Sequence, residues 1–74
     1  MPNKPEHITE VIARRLKAER EKVNLSQTAL ADRAGIDRKT VHRIENGHFS
    51  PNMETFVLLC NALKLEPNAL LSDR

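Results

Sequence analysis

Residues 26–47, SQTALADRAGIDRKTVHRIENG, constrain this chain more than any other stretch, because they read as two short helices meeting at a tight corner. Ser26 is a good N-cap residue, and Leu30 and Ala34 recur behind it at helical spacing. Gly35 then reaches a positive φ at little steric cost and stops the first helix. Asp37 is the next N-cap, with a negative charge at the positive end of the helix dipole, and its carboxylate is expected to be largely occupied by capping. A second helix follows over residues 38–46 and is ended by Gly47. Along it Val41, Ile44 and Glu45 share one side, while Arg38, Lys39, His42 and Arg43 share another. Such a helix buries an apolar stripe and presents a cationic face.

The remainder of the chain has to supply what that corner packs against. Seventy-four residues allow one domain with a small core. Aromatics are only 3% of the chain, without Trp or Tyr, so the core must be aliphatic side chains packed between helices. No period-two alternation marks a strand, and the expected fold class is all-α, a compact five-helix bundle. The net charge of +2 is too mild to identify a partner by itself. Its distribution says more: residues 33–43 carry Arg33, Arg38, Lys39 and Arg43 against Asp37 alone.

Taken in order, residues 1–7 are expected to form a flexible arm, with Pro2, Pro5 and a single cation, Lys4, ahead of one domain over residues 8–74. The first helix should span residues 8–22, with Ile8, Ile12, Leu16, Arg20 and Val23 tracing one face. Arg20 breaks that apolar face with a charge, and a buried guanidinium requires a carboxylate partner. Arg14, Arg15, Lys17 and Lys22, mixed with Glu10, Glu19 and Glu21, read as an ordinary charged surface. Leu25 turns inward, and Ala31 keeps the two corner helices close. A fourth helix begins near Pro51, capped by Ser50 or Asn52, with Met53, Phe56, Leu59, Cys60 and Leu63 on its apolar face. Leu65 closes a short turn, and a last helix starts at Pro67. Val57 and Leu58, with Leu70 or Leu71, are left as exposed apolar surface, while Phe49 packs on the bundle edge or joins an interface.

Several function classes lack support. A single cysteine forms no internal disulfide and no metal cluster, and Cys60 among Leu58, Leu59 and Leu63 reads as a small core residue. His7, His42 and His48 have no metal-binding spacing, and no Gly-rich phosphate loop or nucleophile elbow occurs. No enzyme, metal or cofactor is expected. Without a long apolar run or a signal core, the expectation is a cytoplasmic protein with no membrane partner.

Leu25-Ser26-Gln27, Leu30-Ala31, Ala34-Gly35-Ile36, Val41, Ile44 and Glu45-Asn46-Gly47 together resemble the helix-turn-helix of the lambda-repressor-like (Cro and repressor, or xenobiotic-response-element) DNA-binding domains. The resemblance covers residues 12–71, most of the chain. It implies a recognition helix over residues 38–46 lying in the major groove, where Arg38, Lys39, His42 and Arg43 reach base edges. It assigns DNA phosphates to Gln27, Thr40, Asn46, Gly47 and His48, the turn using side chain and backbone N–H. It also pairs Arg20 with Glu45, tying the first helix to the end of the third. The implied function is a sequence-specific double-stranded DNA-binding transcriptional regulator, of repressor or controller type, bound as a homodimer to a palindromic operator. An antitoxin that neutralises a partner toxin and regulates its own operon is the alternative. The protein partner would be RNA polymerase for a regulator that activates, or a toxin for the antitoxin.

Overall fold

The computed structural model describes residues 5–71, with side chains from His7 onward. Five helices account for its regular structure: α1 (Pro5–Lys22), α2 (Gln27–Ala34), α3 (Arg38–Glu45), α4 (Met53–Leu63) and α5 (Asn68–Leu71). No strand occurs among the described residues. The helix α1 starts at Pro5, ahead of the expected start at Ile8. Proline suits a first helical position because its missing N–H has no intrahelical acceptor there and its φ is already helical. Residues 5–7 of the expected arm are therefore helical, while residues 1–4 lie outside the described residues.

The longer helices stop by one device. Residue Asn24 after α1, Gly35 after α2, Gly47 after α3 and Lys64 after α4 all sit at positive φ, between 57° and 75°. In each case that residue and its successor donate back into the last turn. Gly35 N–H donates to Asp32 O at 3.2 Å and Ile36 N–H to Ala31 O at 2.9 Å. Lys64 and Leu65 repeat this with Asn61 O and Cys60 O, at 3.2 and 2.9 Å. These paired bonds satisfy carbonyls the helix leaves open. Leu25, Ile36 and Leu65, each next in the chain, then pack on the core. His48 occupies the same place after α3 and stays exposed.

The N-caps divide. Ser26 Oγ accepts from Ala29 N–H at 3.0 Å, and Asn52 Oδ1 accepts from Thr55 N–H at 2.8 Å. Asn52, not Ser50, thus caps α4, and Pro51 lies outside the helix. Ser50 instead shares a 2.6 Å hydroxyl bond with Thr9 on α1. Asp37 departs from expectation: its backbone has cap geometry, but its side chain makes no cap hydrogen bond. Its main-chain carbonyl serves Thr40 and Val41 N–H at 3.0 and 3.4 Å, while the carboxylate remains exposed.

Leu16, Leu30, Val41, Ile44, Leu59 and Leu70 are fully buried and draw one side chain or more from every helix. Burying each such aliphatic side chain contributes about 1.5–3 kcal/mol. Ala31 lies in the core, where its small size lets α2 and α3 approach, and Cys60 is buried as expected. Val23 and Met53 are 49% and 75% exposed, contrary to the core faces drawn for them. Val23 follows the last residue of α1 and Met53 opens α4, so helical spacing continues past the neighbour it should touch. Leu58 is half-buried on the core and Leu70 fully buried, leaving Val57, Leu71 and Phe49 as exposed apolar groups.

One polar anchor has no counterpart in the charge pattern. Arg15 Nε donates to Ala69 O at 3.1 Å, and its Nη2 reaches Glu19 Oε2 at 2.6 Å. Glu19 is itself buried and also accepts from Lys22 Nζ at 3.3 Å. Lys22 stays exposed with Glu10, Arg14, Lys17 and Glu21, as expected of a charged surface, whereas Arg15 and Glu19 are structural. They hold α5, a helix of 4 residues, which is too short to persist without tertiary contacts.

Candidate functional site

The site is the outward half of α3 with the turns around it. Val41 and Ile44 anchor the inner half at 0% exposure. Helical geometry then forces Arg38, Lys39, His42 and Arg43 to the outside, where all are exposed, with Thr40 half-buried beside them. Arg38, Lys39 and Arg43 have no carboxylate partner among the described residues. Their charge is therefore available to an anionic ligand. His42 is tied down differently: Asn46 Nδ2 lies within hydrogen-bond distance of its Nε2, at 3.0 Å. This bond across one turn orients both expected DNA-contacting side chains.

At the far end of α3 the backbone donors are already used. Asn46 N–H donates to His42 O, Gly47 N–H to Ile44 O and His48 N–H to Arg43 O, each at 3.0 Å. The expected backbone N–H contribution of Gly47 and His48 to a phosphate thus competes with the helix stop. Gly47 shapes the turn through its φ of 75°, and the side chains of Asn46 and His48 are the groups left exposed.

What holds α3 in place is a buried polar cluster. Arg20 Nε donates to Glu45 Oε2 at 2.7 Å and Arg20 Nη2 to Glu45 Oε1 at 2.9 Å. The remaining Arg20 fork position, Nη1, donates to Leu25 O at 2.7 Å in the turn after α1. Side-chain exposures of 10% and 3% make this a desolvated, bidentate pair. The Glu45 hydrogen bonds raise the Arg20 pKa above its ordinary value against the opposing effect of burial, so the guanidinium stays charged. Gln27 Nε2 adds a bond to Glu45 Oε1 at 3.0 Å. The first residue of α2 is therefore half-buried and fixed to the last residue of α3, not simply solvated. No buried side-chain nitrogen or oxygen among the described residues lacks a partner. Burial raises the Cys60 thiol pKa, which keeps it in the unreactive thiol form.

The cluster and the cationic helix are the parts of a helix-turn-helix, and the comparisons agree. The helix-turn-helix family matches residues 16–70, and the chain belongs to that family, in its lambda-repressor-like branch. It is 36% identical over 66 residues to an uncharacterized HTH-type transcriptional regulator of Sinorhizobium fredii, covering 89% of this chain and 32% of that protein. Repressor protein C2 of Salmonella phage P22 is 30% identical over 63 residues, covering 85% of this chain and 29% of the repressor. The chain thus spans about a third of these two relatives. The crystal structure of the restriction-modification controller protein C.AhdI from Aeromonas hydrophila superposes with a TM-score of 0.80 at 32% identity, covering 84% of this chain and 94% of that one. No helix among the described residues is long and apolar enough to cross a membrane.

Proposed function

We propose that this chain is a sequence-specific double-stranded DNA-binding transcriptional regulator of repressor or controller type. The observation that carries the reading is α3, buried along one side and bearing three unpartnered cations on the other. A helix of this width enters the B-DNA major groove, and its N-terminal residues approach base edges. Arg38 and Lys39 are the principal base readers, with Arg43 next, because guanidinium and ammonium groups donate to guanine O6 and N7. His42 and Thr40 contact bases or phosphates at the groove wall. Gln27, Asn46 and His48 contact the phosphates on either side, setting register without reading sequence.

Rigidity is the second support for the reading. The Arg20–Glu45 pair and Gln27 fix the angle between α2 and α3, so the base readers and the phosphate contacts move as one body. Two copies binding as a homodimer place one α3 in each of two successive major grooves, which matches a palindromic operator. The repressor and controller names of the similar proteins favour regulation over a structural role on DNA. Selection of bound duplexes from a randomised pool at physiological salt tests this. The reading predicts a palindrome with half-sites about one helical turn apart. A pool that enriches nothing, with binding that disappears as salt rises, rejects it.

A further inference from the structure

Asp37 is a carboxylate that no hydrogen bond or ion pair holds among the described residues. It precedes α3 with cap geometry, φ −79° and ψ 141°, yet its side chain makes no cap hydrogen bond. It has no ion pair among the described residues, although Arg33, Arg38 and Lys39 are close in sequence. It is exposed. The same chain caps α2 and α4 with side chains that do bond, Ser26 and Asn52, so a capping residue was available to the sequence here.

An idle carboxylate at this place has a consequence on DNA. It stands one residue before Arg38, at the end of α3 that approaches the base edges in the docking proposed above. Like charges repel phosphates, and the repulsion grows as water leaves the groove. Only a hydrogen-bond donor offsets that cost, and an ionised carboxylate is an acceptor alone. In the major groove guanine and thymine present acceptors, while cytosine N4 and adenine N6 present amino donors. Adenine places its N7 acceptor beside N6, which opposes a carboxylate, whereas cytosine N4 has no such neighbour on its own edge.

We propose that Asp37 is a specificity-determining residue that accepts from a cytosine N4 amino group at the tip of α3, and excludes guanine and thymine there. The assignment rests on α3 being the recognition helix. Adjacent Arg38 then supplies the complementary preference, a donor for guanine, so donor and acceptor at the helix tip together select a G·C-containing step.

The test compares selected-duplex profiles of the wild type, Asp37→Ser and Asp37→Ala, with melting temperatures alongside. Serine keeps a capping group and removes the charge, so that variant stays folded whatever Asp37 does for the helix. In the wild-type half-site one position should be cytosine. Both variants should lose preference at that position by about five-fold or more, keep the other positions, bind random duplex more tightly, and melt close to the wild type. Profiles of both variants unchanged from the wild type overturn the assignment. So does an even weakening at all positions accompanied by a lower melting temperature, which would return Asp37 to the cap. A wild-type protein that enriches no site instead rejects the recognition reading itself, and the assignment falls with it.

Discussion

Replacing Arg20 with alanine should be the most damaging single change in this domain. The guanidinium makes two hydrogen bonds to Glu45 and one to Leu25 O, at 2.7–2.9 Å. Its removal leaves the Glu45 carboxylate, 3% exposed, with only the Gln27 amide. Stranding one member of a buried pair costs about 3–5 kcal/mol, most of it the penalty of an unpaired buried charge. A domain of 74 residues has a total stability of about 4–11 kcal/mol. At about 4–8 °C per kcal/mol for a domain this small, even a 3 kcal/mol loss lowers Tm by about 12–24 °C. The double variant Arg20→Met, Glu45→Met should recover most of that, because two apolar groups have no charge to desolvate. Melting followed by circular dichroism on Arg20→Ala, and on Arg20→Met, Glu45→Met and their double variant, gives the loss and the coupling directly. A fall of less than about 4 °C for Arg20→Ala, or double-variant losses equal to the sum of the singles, refutes the reasoning.

The helix stops make an opposite prediction. Lys64 holds φ 57°, where a side chain costs about 1–2 kcal/mol, so Lys64→Gly should stabilise by about 0.5–1 kcal/mol after the entropic cost of glycine. Gly47→Ala should lose about the same amount, since a Cβ there meets no atom within 4 Å and only the backbone conformation is at stake. Urea midpoints of both variants check the pair of signs. Arg15→Met should remove the bond to Ala69 O and speed amide exchange in α5 before it affects α2 or α3, read by hydrogen exchange. On DNA, Arg38→Ala and Lys39→Ala should each lose about 1–3 kcal/mol of base discrimination, while Asn46→Ala weakens all duplexes evenly, as measured by competition binding.

The corner was readable from local rules because its signals are local. Ser26, Gly35 and Gly47 act within a few residues of themselves, and α2 follows its expected limits. Arg20 announced its partner by placing a charge on an apolar face, and the helix-turn-helix resemblance supplied Glu45. The features that escaped depend on the third dimension. Arg15 bonds a backbone carbonyl 54 residues away, which no side-chain pattern displays. Asn24 and Lys64 end helices in a conformation usually left to glycine, because the leucine that follows each gains the core. The direction of the Asp37 side chain is a rotamer choice that composition does not contain. At the site itself, the exposure of Arg38, Lys39, His42 and Arg43 followed from Val41 and Ile44 facing inward. The two hydrogen bonds that orient its rim, Gln27 to Glu45 and Asn46 to His42, did not. Both engage amide groups that, in the sequence alone, have no visible partner but a phosphate.

Dimethyl sulfate protection on the selected duplex tests the central claim most directly, because it methylates guanine N7 in the major groove and adenine N3 in the minor groove. With α3 docked by its cationic face, guanine N7 should be protected in two patches about one helical turn apart, and the patch should shrink with Arg38→Ala. Protection confined to adenine N3, or guanine protection indifferent to Arg38, would contradict the account.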